Sequence, residues 1–248
     1  MSDEPMKSEG DGAWTEGKIA RVASELGRKC GDCSLCCLLL DVPEADKPKH
    51  GWCRHCRPGK GGCSIYATRP NICRRYACMW LISAKLSDAW MPLRSKLVLD
   101  MHGPDQELTH PILRVHVHPQ FPNRWREPPY HDGIRALAAA GLDSVPIFYQ
   151  TIIIVAHKRT HIVLANEDVP YTPGITLRCP WLGKNTWKHV ATKSHTDAKT
   201  LYGKLNEMVE IGRIVHAENP QRSMAERMVR AMEILQQRHP ELGRRSGR

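Results

Sequence analysis

Cys30-Gly31-Asp32-Cys33-Ser34-Leu35-Cys36-Cys37 opens a segment that continues through Cys53-Arg54-His55-Cys56, Cys63 and Cys73 to Cys78. Nine of the chain's ten cysteines lie here, and only Cys179 stands apart. A C-x-x-C pair places two sulfurs on one side of a tight turn, where both reach one metal. Two such groups from separate loops close a tetrahedral site, and C-x-x-C-x-x-C with a distant fourth cysteine also suits a [4Fe–4S] cluster. Soft thiolates select zinc, copper(I) or iron–sulfur. The candidate ligands are therefore Cys30, Cys33, Cys36, Cys37, Cys53, Cys56, Cys63, Cys73 and Cys78. An iron–sulfur cluster, [4Fe–4S], is the first reading and zinc the alternative. A cluster needs only four of the nine thiolates, which leaves the rest for a second metal or for redox chemistry. Cys36 and Cys37, being adjacent, point in different directions and are not expected to share one ion.

The neighbours of these cysteines have plainer expectations. His50 and His55 read as exposed loop histidines. Arg54, Arg57, Arg69, Arg74 and Arg75 offset the negative charge of several thiolates. Pro70 restricts Arg69 to extended backbone, and Ile65, Tyr66 and Trp80 are expected to pack over the site and keep water out.

Disulfides are not the expected use of these thiols. The N-terminus Met1-Ser2-Asp3-Glu4-Pro5 is polar and acidic, unlike a secretory signal. No apolar run approaches the roughly 18 residues that span a bilayer. The expectation is a cytoplasmic protein with reduced thiols and no membrane partner. The net charge of +10 and pI of about 9.2 suggest anionic partners. The cysteine segment itself carries eight Lys/Arg against four Asp/Glu. Because no run of five or six basic residues occurs, nucleic acid is possible as a partner but not favoured. A protein or peptide partner is expected instead.

Outside the segment the pattern is that of an α+β protein: a Cys-rich, loop-dominated metal module with a small antiparallel sheet packed against it and C-terminal helices. The expected divisions are 1–29 (a polar, disordered tail and a helix ending at Gly27), 30–80 (the metal module), 81–193 (an α+β region) and 194–248 (helices). Val98-Leu99 and Ile112–His118 read as strands. Ile134, Leu137, Ala138 and Leu142 fall at helical spacing. Residues 145–157 and 160–165 read as a hairpin, and 170–193 as loop. Leu201, Leu205, Met208, Gly212 and Val215 line one helix. A break at Asn219-Pro220 precedes a second, which opens on the capping-box pair Ser223 and Glu226. Its stripe of Met224, Met228, Ala231 and Leu235 is expected to pack in a core. His116 and His118 are expected on an exposed strand face, and Cys179 as an inert thiol. None of the nucleotide-binding or hydrolase motifs G-x-G-x-x-G, G-x-S-x-G and H-E-x-x-H occurs.

The cysteine spacing, followed by Gly62-Cys63-Ser64-Ile65-Tyr66-Ala67-Thr68-Arg69-Pro70-x-x-Cys73-x-x-Tyr76-x-Cys78-x-Trp80, resembles the CxxCxxCC (YkgJ-type) family of zinc- or iron-chelating proteins. The resemblance covers residues 30–80, about a fifth of the chain. It implies metal chelation by these cysteines. Flagellin lysine-N-methylases carry a similar cysteine pattern and use S-adenosylmethionine, so the resemblance also implies, by analogy, a redox enzyme or a protein methyltransferase. The pair Cys53-x-x-Cys56 adds to the family pattern.

Overall fold

Leu97–His102 and Ile112–Val117 alternate apolar residues with Asp100, Arg114 and His116, and they pair antiparallel from Leu97↔Val117 to His102↔Ile112. A computed structural model describes residues 15–59, 62–102, 112–140, 151–156, 159–179, 182–183 and 186–241. The expected α+β fold is present. Expectations for residues 1–13, for 145–150 and for Gly141 and Leu142 lie outside the described residues.

The elements before the main sheet are short. They are α1 (Glu16–Glu25), α2 (Cys36–Leu39), β1 (Cys56–Arg57), β2 (Gly62–Cys63), α3 (Asn71–Arg75), α4 (Met79–Ile82) and α5 (Pro92–Ser95). The main sheet comprises β3 (Leu97–His102), β4 (Ile112–Val117), β5 (Thr151–Val155), β6 (Thr160–Val163) and β7 (Asp168–Pro170), in that order. The helix α6 (Tyr130–Ala140) lies between β4 and β5 in the chain, and β8 (Gly174–Arg178) pairs with β9 (Trp187–Ala191). Two long helices close the chain, α7 (His195–Glu218) and α8 (Met224–Arg238).

The sheet is mixed. Three of its pairings are antiparallel, as expected, while β4 and β5 run parallel with Leu113 opposite Ile152 and Val115 opposite Ile154. The helix between them makes this a β-α-β passage, which parallel neighbours require. β5 and β6 form the expected antiparallel pair. β7 ends at Pro170, which cannot donate to a ladder, and it occupies the sheet edge where proline is tolerated. The loop expected over 170–193 is instead the β8–β9 ribbon. Ile175 and Thr176 of β8 are buried, as is Trp187 of β9. Prolines at the ends of this stretch masked two strands that are too short for a clear alternation.

The two sheet faces carry different chemistry. Leu97, Leu99, Leu113, Val115, Val117, Ile152, Ile154 and Val163 share one core with Trp125, Ile134 and Ala138, and with Ile19 of α1 and Trp80 and Leu81 of α4. On the other face, Val98 packs against Leu35, Leu38 and Leu39, with Cys33, Tyr76 and Cys78 around them. The cysteine segment therefore rests on β3 through a small apolar contact of its own. Close packing of the main core shows at Gly133 in α6, where an added Cβ would lie 2.4 Å from Cζ2 of Trp90.

α1 is capped by Thr15, whose side chain accepts from the Lys18 amide, and it ends before Gly27, whose φ of +63° suits glycine at a helix C-terminus. Arg28 then turns inward. Its guanidinium donates to the carbonyls of Trp80, Ser83 and Leu86 and stacks on the Trp80 ring. The chain enters its first cysteine directly from this anchor.

Contacts divide the chain into two compact units, a larger one reaching to His189 and a smaller one made mainly of residues from Val190 onward. In the smaller unit the break at Asn219-Pro220 separates α7 from α8, and Ser223 with Glu226 forms the capping box. The helices meet through Ile211, Val215 and Ile234, joined by Ile214, Ala231 and Leu235. The expected Met stripe is only half right. Met224 and Met228 are 72% and 64% exposed, and Met208 is exposed as well. Near the turn the seam is closed by Glu218 with Arg222 and Arg230, at 2.7 and 2.8 Å. Apolar contact is made by the C-terminal part of α7 and the later part of α8. Among the described residues no helix is long and apolar enough to cross a membrane.

Candidate metal centre

Each cysteine turn closes on a backbone hydrogen bond. The Cys33 amide donates to the Cys30 carbonyl and the Cys56 amide to the Cys53 carbonyl, both at 2.9 Å. Residues i and i+3 are thereby brought onto one side of a turn, as the spacing requires. The Cys53 amide donates to the Cys37 carbonyl at 3.0 Å, which ties the second pair to the first group. β1 and β2 place Cys56 directly opposite Cys63. Cys73 lies in α3, its amide donating to the Pro70 carbonyl at 3.0 Å. Cys78 is the N-cap of α4.

All ten cysteines are free thiols. Cys30 is exposed, the other eight of the segment are half-buried, and Cys179 is buried. The Cys179 thiol faces the Leu177 carbonyl at 3.9 Å, in keeping with an inert thiol.

The thiols act on one another electrostatically in two overlapping groups. In the first, Cys37 interacts with the thiols of both Cys36 and Cys56, and Cys73 faces Cys37, Cys53 and Cys63. In the second, Cys78 faces Cys30 and Cys33. Cys37 also acts on Cys30 and Cys33, so it stands between the two. The adjacent Cys36 raises the pKa of Cys37. Among the described residues no three His, Cys, Asp or Glu side chains converge closely enough to enclose an ion. The donor chemistry fits a thiolate-bound metal. The sulfurs are gathered, without being drawn into a closed coordination shell.

Six of these thiols hold their protons more tightly than usual. Burial, then the charge of Cys37, pushes Cys56 up to about 11. Burial pushes Cys78 up to about 12, although the Leu81 and Trp80 amides at the start of α4 favour its thiolate. Cys30, Cys33 and Cys73 rise for the same first reason, burial. Cys37 rises chiefly through its hydrogen bond with Cys36. A bound cation inverts this balance, because it binds the thiolate form.

Among the described residues three cationic side chains act on these sulfurs, and burial lowers the pKa of one of them, Lys47. Lys47 faces Cys37, Cys36 and Cys53, Arg69 faces Cys30 and Cys73, and Lys96 faces Cys33. Of the five arginines expected to balance charge, Arg69 does so. Arg54 donates to His55 Nε2 at 3.2 Å and Arg74 to the Ala67 carbonyl at 3.0 Å. Nothing in the sequence marks Lys47 or Lys96, since a lone lysine in a loop carries no pattern of its own. His50 and His55 are half-buried rather than exposed, and His50 has a φ of +61°. Tyr66 is exposed, with the Arg69 guanidinium 3.8 Å from its ring centre, so it does not shield the sulfurs. Trp80 is buried in the main core instead.

A second polar group lies on the same sheet face. Asp100 sits opposite Arg114 and accepts from its Nη2 at 2.6 Å. His116, expected to be exposed, is 2% exposed, with Nε2 3.5 Å from Asp100 Oδ2. Burial pushes His116 down, and the Asp100 carboxylate only partly offsets this. Burial also acts to raise Asp100, but His116 and Arg114 outweigh it and hold the carboxyl below its usual range. The Tyr76 hydroxyl is buried without a hydrogen-bond partner among the described residues, and its ring packs near Val98. Val98 pairs with His116 across the strands, so the Tyr76 side chain covers this polar patch from the cysteine side. No protein-family model matches the chain, and no curated protein or solved structure matches it.

Proposed function

We propose that residues 30–78 bind metal through cysteine thiolates, with a [4Fe–4S] cluster as the leading form and zinc as the alternative. One observation carries the reading. Backbone turns and the β1–β2 pair join Cys30 with Cys33, Cys37 with Cys53, Cys53 with Cys56 and Cys56 with Cys63, Cys33 and Cys78 pack near Val98 of β3, and Lys47 acts on Cys37, Cys36 and Cys53. In a reduced protein, thiols in such number favour metal ligation over disulfides. Cys36, Cys37, Cys53, Cys56, Cys63 and Cys73 form one set of candidate donors, and Cys30, Cys33 and Cys78 a second. The resemblance of residues 30–80 to the CxxCxxCC family supports the same assignment. The role that follows is redox, or support of the modification of a protein or peptide partner. When bound, a cluster supplies one-electron transfer. The chain's own part is to hold the thiolates, balance their charge and limit water around them.

Anaerobic purification followed by metal and acid-labile sulfide analysis tests the reading. Brown protein with iron and sulfide in equal amounts is the expected result. Colourless protein with stoichiometric zinc would move the assignment to the alternative, a zinc-stabilised module docking an anionic or protein partner. Protein free of both metals would refute thiolate binding altogether.

A further inference from the structure

Lys47 departs from the usual behaviour of a lysine. It is 4% exposed, whereas lysines are almost never fully buried unless paired. Its ammonium donates to the Leu38 carbonyl at 3.1 Å and to the Leu40 carbonyl. Those carbonyls lie at the end of α2, the turn that carries Cys36 and Cys37. The backbone is folded back to make this possible. The Val42 amide donates to the Lys47 carbonyl at 2.8 Å and the Lys47 amide to the Val42 carbonyl at 3.1 Å. Asp46 closes the turn in the left-handed region at φ 48°.

Two carbonyls satisfy two of the ammonium's donors, but they carry no charge. A buried cation with no counter-charge is expensive, and breaking a buried pair costs far more than an exposed one. Among the described residues no carboxylate forms an ion pair with Lys47. The groups that face it most strongly are Cys37, Cys36 and Cys53, ahead of Asp41.

We propose that Lys47 is the built-in counter-ion of the thiolate site, and that it fixes the site's net negative charge. The inference rests on the metal reading above. A divalent ion held by four thiolates leaves negative charge uncancelled, and an all-cysteine iron–sulfur cluster does the same. A point charge acting on Cys37, Cys36 and Cys53 from the end of α2 stabilises that excess. It strengthens metal retention and, for a cluster, raises the reduction potential, which net charge and nearby donors set. Lys47 is a positioning residue here: it touches the ends of α2 and the sulfur environment rather than a substrate.

The test uses full-length protein purified anaerobically, or reconstituted with iron and sulfide or with Zn²⁺ alone. Lys47→Met keeps the length and removes the charge, Lys47→Arg keeps the charge, and Lys85→Met on the exposed surface is the control. Metal loss to a competing chelator is expected to be at least about tenfold faster in Lys47→Met, with a more negative reduction potential for a cluster-loaded sample. Lys47→Arg should recover most of both, which a purely packing role for the methylenes would not produce. Metal retention and potential equal to wild type in folded Lys47→Met would overturn the inference while leaving the metal reading intact. Wild-type protein without metal would overturn the metal reading first. Should Lys47→Met fail to fold, amine acylation mapped by mass spectrometry on wild type decides. Lys47 is expected to be protected in loaded protein and labelled after metal removal, and equal labelling in both states would overturn the inference.

Discussion

The main sheet and the cysteine segment share one compact unit but are held together by different means. The sheet buries Leu97, Val115, Val117, Ile134, Ile152, Ile154 and Val163 almost completely, and each such side chain contributes about 1.5–3 kcal/mol by leaving water. The cysteine segment buries Leu35, Leu38, Leu39 and Ala45 and little else that is apolar. Its regular structure amounts to short helical turns and one two-residue strand pair. A stretch this poor in core material needs another source of order, and metal ligation supplies it in small loop-rich modules. The lesson is that the two regions should fail under different insults.

The largest separation is expected from Cys63→Ser and Cys73→Ser. Structural metal sites contribute on the order of 10 kcal/mol of binding free energy to the segments that they order. Both variants should lose metal and expose residues 30–78 to limited proteolysis, while far-ultraviolet circular dichroism keeps the sheet and helix signal. Unchanged metal content in both would mean that the ligands lie elsewhere among the nine.

Ile154→Ala attacks the other region. Removing a fully buried isoleucine leaves a cavity, so a loss of about 2–5 kcal/mol in urea unfolding is expected. Metal stoichiometry of the folded protein should stay at the wild-type value. Loss of metal in step with mild destabilisation would show that the segment and the sheet are one cooperative unit.

Acid sharpens the comparison at the seam. His116 is buried beside Asp100 and Arg114, with Lys49 also acting on it and Tyr76 covering the patch. Its folded-state pKa lies below the unfolded value, so the folded state binds fewer protons, and this contribution to stability is lost as pH falls through the unfolded histidine range near 6.5. Asp100 has the same sign, with loss at lower pH through the carboxylate range. Urea midpoints measured from pH 7.5 down to pH 5 should fall, and His116→Gln should flatten that slope above pH 5. An unaltered slope would place the titrating group elsewhere.

The smallest effect is expected in the C-terminal helices. Ser223→Ala removes one half of the capping box and should cost about 1 kcal/mol of stability in that unit. Metal content should not change, which iron or zinc analysis of the variant checks.

What the sequence disclosed follows from which signals are local. The end of α1 at Gly27, the strands at Val98-Leu99 and Ile112–His118, the β5–β6 pair, the break at Asn219-Pro220 and the Ser223 capping box all rest on neighbours within a few residues. The parallel register of β4 with β5 does not, because nothing in either strand states its partner's direction. The β8–β9 ribbon was hidden by flanking prolines, and the exposure of Met224 and Met228 by the assumption that a helical stripe is covered along its whole length. The candidate cysteines were legible, since their spacing is written directly in the chain. Its electrostatics were not. Lys47 becomes a buried cation, and His116 a buried neutral ring, only after loops and strands distant in sequence close over them.

The central claim is that metal orders the cysteine segment while the sheet sustains itself. Hydrogen exchange of anaerobic protein before and after chelation, followed by mass spectrometry, tests this most directly. Amides of residues 30–78, including those of Cys33, Cys53 and Cys56, should exchange at least about a hundredfold faster after metal removal, with β3 to β6 unchanged. Equal protection of the segment in both states would contradict the account.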